Sequence, residues 1–163
     1  MPVPSNHADE PATYFIRPAA LSDMKSLRDV FRRASLANAD DHDLLRSHPE
    51  FLELSDEGVR EGRTRVAVDV DVDATLLGFA SFILRDHLLE VEDLFVDPTK
   101  WRQGIGTALM LDMVAIAERG GCERLEVTGN PHALSFYKYS GFTVSHEVAT
   151  DLYPALRLYR LLA

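Results

Sequence analysis

The stretch Leu94-Phe95-Val96-Asp97-Pro98-Thr99-Lys100-Trp101-Arg102-Gln103-Gly104-Ile105-Gly106-Thr107 decides the fold of this chain. An apolar run ends in a short polar turn, and a glycine-rich segment then opens an apolar-periodic helix that ends at Gly120-Gly121. The N-terminus of a helix carries unpaired backbone N–H groups and partial positive charge, so it attracts phosphate. Glycines let a phosphate approach the backbone closely. The stretch therefore predicts a phosphate site at the start of a helix.

Two common phosphate-binding motifs do not fit this turn. A P-loop requires the pattern G-x-x-x-x-G-K-[ST], which the sequence lacks. A dinucleotide fingerprint requires a small third residue in G-x-G-x-x-G/A, and Leu109 stands at that position. A leucine there would crowd the helix against the preceding strand. We therefore disfavour both a P-loop and a dinucleotide-binding turn.

Hydrophobic patterning predicts an α/β chain. Seven segments alternate or are apolar in the manner of strands: 14–17, 64–72, 76–84, 88–96, 125–128, 142–149 and 155–162. Four segments have helical spacing or helix caps: about 22–34, 44–54, 104–119 and 130–141. Short turns join 64–96 into an antiparallel meander, whereas the helix after the glycine turn implies a right-handed crossover between parallel strands. We interpret residues 38–43 as an acidic break between helices.

Length and charge limit the class of protein. The 163 residues, 46% apolar and 26% charged, suit one soluble domain, which we expect at residues 13–163 after a flexible tail at residues 1–12. The net charge of −9 argues against nucleic acid and permits a cationic small molecule. Cys122 is the one cysteine, which excludes a multi-thiolate zinc site. No apolar run approaches the roughly 20 residues that span a bilayer. We therefore expect a cytoplasmic protein that neither associates with a membrane nor binds a metal.

Three segments together resemble the GCN5-related N-acetyltransferase (GNAT) superfamily. They are Glu92-Asp93-Leu94-Phe95-Val96-Asp97-Pro98, the turn Arg102 to Thr107, and Asn130-x-x-Ala133-x-x-Phe136-Tyr137-x-x-x-Gly141-Phe142. Each is weak alone, but their order and separation match the family, and the resemblance covers nearly the whole chain. Trp101 departs from the family pattern, which has Gln or Arg at that position. We expect Arg102 or Gln103 to supply the missing side-chain contact.

This resemblance implies a fold, a reaction and its partners. The GNAT fold is a mixed, mostly antiparallel sheet of six to seven strands with helices on both faces. The implied function is acetyl-CoA-dependent N-acetylation of a primary amine, with acetyl-CoA as co-substrate and no metal. The acceptor would be a small-molecule amine or a peptide amine, and a homodimer is a family-level expectation. The alternative function is a non-catalytic acyl-CoA-binding module that acts as a sensor or regulator.

The resemblance also assigns roles to residues. The turn would hold the pyrophosphate of CoA, the strand before it would pair with the pantetheine arm, and Asn130 would both cap a helix and contact CoA. Tyr137 matches the tyrosine that protonates the leaving thiolate, since a phenol with a pKa near 10 stays protonated at neutral pH. The predicted cofactor-binding residues are Leu94, Phe95, Val96, Arg102, Gln103, Gly104, Ile105, Gly106, Thr107, Asn130, Ala133 and Tyr137.

An amine acceptor also requires a base. An alkylammonium has a pKa near 10 and cannot attack until it loses a proton. Glu92 is the predicted base because it matches an acidic position that some family members use. Glu90, on the same predicted strand face, Asp93, on the other face, and water are the alternatives. Because Cys122 has no evident base partner, we expect direct attack in a ternary complex rather than an acyl-enzyme.

Overall fold

The computed structural model describes residues 2–3, 13–72 and 74–163, without the side chains of Ala39 and Asp40. The strands within these residues are β1 (Tyr14–Pro18), β2 (Thr64–Asp69), β3 (Leu76–Arg85), β4 (Leu88–Val96), β5 (Arg124–Gly129), β6 (Thr143–Val148) and β7 (Ala155–Leu161). The helices are α1 (Met24–Leu36), α2 (Ala39–Ser47), α3 (Glu57–Arg60), α4 (Ile105–Arg119) and α5 (Leu134–Tyr139). The predicted tail lies outside the described residues except for Pro2 and Val3.

One seven-stranded sheet has the order β1-β2-β3-β4-β5-β7-β6. Strands β2, β3 and β4 form the predicted antiparallel meander, and β1 pairs antiparallel with β2 at its edge. Helix α4 connects β4 to the parallel strand β5. Strand β7 lies between β5 and β6 and is antiparallel to both. The pairing of β4 with β5 extends only from Leu88 with Arg124 to Val91 with Val127. Beyond this point the two strands are no longer paired, and this separation creates the site described below.

Alternating side chains of the sheet form a hydrophobic core on each face. One core joins α1 to β2 and β3, and it contains Met24, Leu27, Val30, Phe31, Val66, Val68, Leu76 and Phe79. The other joins α4 and α5 to the opposite face, and its largest fully buried side chains are Phe136, Leu89, Ile105, Leu109, Met110, Met113, Leu125 and Leu158. Full burial of one such side chain contributes about 1.5–3 kcal/mol. The predicted α/β sheet with helices on both faces is therefore confirmed.

The prediction of an acidic break at residues 38–43 is wrong, because α2 includes most of this segment. Asp41 and Leu45 are four residues apart, so they share one helix face, and both are buried. The helix thus has a buried face that contains a carboxylate. The strand predicted at 64–72 ends earlier, at Asp69, where the Asp69 carboxylate accepts hydrogen bonds from the N–H groups of Asp71 and Val72.

No helix in the described part of the chain is long and apolar enough to cross a membrane. The longest, α4, has 15 residues. The cytoplasmic location and the homodimer stay predictions.

The contact between β3 and β4 generates a first stability prediction. A Cβ atom added to Gly78 would lie 2.8 Å from the Phe95 carbonyl oxygen and 3.3 Å from the Val96 Cα. Both are backbone atoms of β4, which cannot rotate away as a side chain would. We expect Gly78→Ala to lower the free energy of unfolding by about 1–3 kcal/mol, measured by urea denaturation.

Gly120→Ala is the matched control. Its φ of −80° suits any residue, and its nearest neighbour would be 3.4 Å from the added Cβ. We expect a change within about 0.5 kcal/mol. Equal stability of the two variants would contradict the steric argument at Gly78.

Candidate active site

A cavity of about 340 Å³ lies where β4 and β5 part. Its walls come from residues 91–96 of β4, residues 127–130 at the end of β5, α5, the α1–α2 region and the loop between β6 and β7. Predicted residues on this wall are Glu92, Leu94, Phe95, Val96, Asn130, Ala133 and Tyr137. Residues from distant parts of the sequence thus meet where β4 and β5 are no longer paired.

The glycine turn forms a smaller recess that shares Val96, Trp101 and Phe136 with the main cavity. Predicted residues that line this recess are Arg102, Gly104, Ile105, Gly106 and Thr107, whereas Gln103 lines neither space. The two spaces are therefore contiguous, and the predicted phosphate turn lies next to the end of β4 that is predicted to pair with the pantetheine arm.

Backbone conformation explains the glycine at the start of α4. Gly104 has φ +81° and is the N-cap residue, and the Tyr14 hydroxyl donates a 3.3 Å hydrogen bond to its carbonyl oxygen. Arg102 also has a positive φ, +68°, which is strained for a residue with a side chain and is found mainly at functional sites. The turn is thus held in a conformation that an ordinary helix start does not require.

Thr107, in the first turn of α4, supplies a test of whether an anion fits this recess. Its hydroxyl oxygen is buried and has no hydrogen-bond partner among the described residues. Buried polar groups are nearly always hydrogen-bonded, and the first N–H groups of a helix have no intrahelical acceptor. Donors without acceptors beside a helix N-terminus fit a phosphate group, so the predicted pyrophosphate role agrees with the residues present.

Trp101 occupies the position where the family pattern has Gln or Arg. Its indole Nε1 donates a 3.0 Å hydrogen bond to the carbonyl oxygen of Val96. The side chain therefore fixes the turn against the end of β4. A phosphate contact from Arg102 or Gln103 in place of the missing Gln or Arg stays a prediction.

Tyr137 is buried on α5 and packs edge-to-face on Phe136 and Phe142, with ring centroids 5.5 and 5.7 Å away. Gly129 makes room for this ring, because a Cβ added there would lie 2.6 Å from Cε2 of the tyrosine. Burial raises the pKa of Tyr137 to about 12, and the neighbouring Tyr153 adds to the rise. The phenol is therefore protonated throughout the neutral pH range.

A β-bulge in β4 sets the positions of the predicted base and its alternatives. Ser81 pairs with Asp93 and the next residue, Phe82, pairs with Val91, so Glu92 is the extra residue. Glu92 and Asp93 consequently line the same cavity. The prediction that Asp93 faces away from Glu92 is wrong, because it assumed unbroken alternation along the strand.

The carboxylates near the bulge have different surroundings. Glu92 is 37% exposed and makes a 2.6 Å ion pair with Arg63. Asp93 accepts a 2.5 Å hydrogen bond from the Ser81 hydroxyl. Burial raises the pKa of Asp93, the Ser81 hydrogen bond opposes this rise, and the negative charge of Glu92 adds to it.

Glu90, the third candidate base, is separated from the cavity. Arg157 contacts its carboxylate at 2.9 Å, and Glu90 is not among the residues that line the cavity. Its position in the register opposite Glu126 of β5 places it in the paired part of the two strands. Glu90 therefore forms a structural ion pair and does not reach the cavity.

Asn130 is a helix cap, as predicted, and has a second partner. Its Oδ1 accepts a 2.9 Å hydrogen bond from the backbone N–H of His132, and its Nδ2 donates a 2.9 Å bond to Oδ2 of Asp41. Burial raises the pKa of the nearby Tyr153, a hydrogen bond with Asn130 lowers it, and the charge of Asp41 raises it further. Asp41, Asn130 and Tyr153 thus form one polar group at the cavity wall.

Sequence reasoning expected the acidic segment 38–43 near the acceptor but gave Asp41 no role of its own, and it missed Tyr153. The spacing of Asp41 and Leu45 is a helical signal that could have identified Asp41, although the run of acidic residues obscured it. Tyr153 lies in the loop before β7, and no local pattern marks it. Both residues reach the cavity only because their segments fold over the end of β5.

Known structures of similar architecture support this description of the fold. The PaiA N-acetyltransferase from Thermoplasma acidophilum, solved in complex with coenzyme A, superposes with a TM-score of 0.73, at 17% identity over 93% of this chain and 100% of that one. A GCN5-related N-acetyltransferase from Rhodopseudomonas palustris gives a TM-score of 0.74 at 19% identity, covering 93% of this chain and 97% of that one. These likenesses establish the fold.

Sequence comparison adds a relative and a family. Glucosamine 6-phosphate N-acetyltransferase of Trypanosoma brucei brucei is 35% identical over 57 residues, which are 35% of this chain and 38% of the relative. The match thus spans well under half the length of that curated relative. The model of the acetyltransferase (GNAT) family matches residues 24–142, most of the chain and all of the phosphate turn. The chain belongs to the acetyltransferase (GNAT) family.

Proposed function

We propose that this protein transfers an acetyl group from acetyl-CoA to a primary amine by direct attack in a ternary complex. The observation that carries the proposal is the cavity between β4 and β5, which joins the phosphate turn to Tyr137 and to the carboxylates at the bulge. Membership of the GNAT family and the similarity to a CoA-bound structure support it. The similarity to a glucosamine 6-phosphate N-acetyltransferase supports an amine acceptor.

The chain would hold acetyl-CoA at two places. N–H groups in the first turn of α4 and the Thr107 hydroxyl would bind the pyrophosphate. Backbone groups of residues 94–96, beyond the last β4–β5 pair, would bind the pantetheine arm in the manner of an added strand. Asn130 and Ala133 line the opposite wall of the same space. Acetyl-CoA supplies the activated acyl group, and the side chains supply proton transfer and position.

Tyr137 is the proposed general acid. When the amine nitrogen forms a bond to the thioester carbonyl carbon, the carbon–sulfur bond breaks and the thiolate needs a proton. The Tyr137 phenol lines the cavity, is protonated at neutral pH, and has no hydrogen-bond partner in the described chain that would hold its proton. A phenol is therefore available to convert the thiolate into the thiol of CoA, and the phenolate regains a proton from the nitrogen, which loses its second proton as the amide forms.

The carboxylate pair Glu92–Asp93 is the proposed base. The attacking ammonium must give up one proton before attack, and a carboxylate at the bulge accepts it directly or through water. Glu92 is the choice that the family resemblance favours, but its ion pair with Arg63 keeps it engaged. Burial raises the pKa of Asp93, and its carboxylate accepts a hydrogen bond from Ser81 and makes no ion pair among the described residues. We therefore assign the role of proton acceptor to Asp93, with Glu92 beside it.

The first experiment measures release of free CoA thiol from acetyl-CoA with a panel of primary amines and peptides. We expect amine-dependent release with one thiol formed per acetylated product. Because no acyl-enzyme precedes attack, no burst of thiol should appear in the absence of amine. The competing function, an acyl-CoA-binding regulatory module, predicts acetyl-CoA binding by calorimetry and no thiol release with any amine. That result would remove the enzymatic proposal.

Tyr137→Phe tests the general acid. Because the ring keeps its packing on Phe136 and Phe142, we expect unchanged thermal stability and an unchanged KM for acetyl-CoA. The loss of a general acid lowers kcat about 10²-fold. Steady-state kinetics at several pH values provide the measurement. A variant with the kcat and pH profile of the wild type would show that Tyr137 only positions substrate.

Asp93→Asn and Glu92→Gln separate the two carboxylates. We expect Asp93→Asn to lower kcat/KM by about 10²-fold. The low-pH limb of the pH profile, where kcat/KM falls because the base becomes protonated, should disappear. Glu92→Gln should retain the limb and lose less activity. The opposite ranking of the two variants would assign the base to Glu92.

Stability serves as the control for Asp93→Asn. Because the folded-state pKa of Asp93 is raised, its charged form destabilises the fold above that pKa, and protonation relieves the cost as pH falls. Asparagine should therefore leave the melting temperature at neutral pH equal to or above that of the wild type. The difference should shrink at acidic pH, and a clear loss of stability at neutral pH would contradict this electrostatic account.

A further inference from the structure

The lining of the cavity is rich in carboxylates. Three carboxylates line it, from Asp41, Glu92 and Asp93, and no lysine or arginine is among the described residues that do so. Arg63 balances Glu92 through their ion pair, but it is not part of this lining. The charge of Arg63 also lowers the pKa of Asp93, and His132 is a further residue of the lining, so Asp41 is the one of the three without an arginine partner among the described residues.

Asp41 has the most unusual environment of the three. It is 9% exposed, and among the described residues its side-chain partner is the neutral amide of Asn130, 2.9 Å away. No lysine, arginine or histidine pairs with it in the described part of the chain. A buried carboxylate loses hydration and is normally paired with a cation, which a cationic ligand can supply. Its hydrogen bond with Asn130 places it near the end of β5, whereas Glu92 and Asp93 lie at the bulge of β4.

The rest of the wall suits the body of an aliphatic cation. Aromatic rings of Phe31, Phe51, Trp101 and Tyr153 line the same cavity. Such rings pack against methylene groups and attract ammonium groups to their faces. A phosphate or carboxylate on the acceptor would meet the three carboxylates, and like charges in a desolvated site are unfavourable.

We propose that the acceptor is an aliphatic diamine or longer polyamine without acidic groups. One amine reacts beside Glu92 and Asp93, and Asp41 pairs with a second ammonium group of the same molecule. This inference rests on the proposed N-acetyltransferase function and gives it a substrate class. Asp41 is then the specificity-determining residue, because a monoamine has no group to reach it.

The test compares straight-chain α,ω-diamines with monoamines of equal chain length and with a phosphorylated amino sugar. For the wild type we expect kcat/KM for the best diamine to exceed that of the matched monoamine by about tenfold or more. The phosphorylated amino sugar should be the poorest acceptor. Release of CoA thiol is the readout.

Asp41→Asn then tests the assigned residue. An asparagine oxygen still accepts the hydrogen bond of Asn130, so we expect an unchanged KM for acetyl-CoA and loss of the roughly tenfold diamine preference. Asp43→Asn makes the same charge change at an exposed position of α2 and should retain the preference.

The outcomes distinguish this inference from the function on which it rests. Equal use of diamines and monoamines, better use of the phosphorylated amino sugar, or an Asp41→Asn variant that retains the diamine preference would overturn the inference and leave acetyl transfer intact. Acetyl-CoA binding with no turnover of any amine would overturn the proposed function itself.

Discussion

The early end of the β4–β5 pairing is the constraint on which the rest of the site depends. Hydrogen bonds join the strands through Val91 and Val127, and the bulge at Glu92 follows at once. A parallel pair that continued would close the sheet and satisfy the backbone groups of residues 94–96. Because it stops, the strand end becomes a wall of a cavity, and a glycine turn lies where that wall meets α4.

Different elements supply the two halves of the cavity. The sheet, α4 and α5 contribute the side proposed to bind acetyl-CoA, and these elements contain the patterns of the family. The opposite side comes from α1, α2 and the β6–β7 loop, and it contains Asp41 and Tyr153. Asn130 joins the halves, because one amide caps a turn and holds Asp41.

Much of the fold could be predicted from the sequence, since it depends on local patterns. Alternation marked all seven strands, and the glycines at both ends of α4 marked its limits. The errors arose where local signals conflict. Four polar residues at the start of α2 resemble a loop, although Asp41 and Leu45 share a buried face. A bulge has no signature in the alternation of β4, so the faces of Glu92 and Asp93 could not be assigned.

The sequence by itself determined the order of elements, the phosphate turn and the family, because each is encoded in neighbouring residues. It also supplied Tyr137 and the acidic segment 90–93 as candidates. Only the tertiary structure decided which carboxylates face the cavity, since a bulge, the Arg63 and Arg157 ion pairs and burial act between distant segments. The position of Asp41 at the cavity likewise depends on tertiary packing, because Asp41 is 89 residues from the Asn130 that holds it.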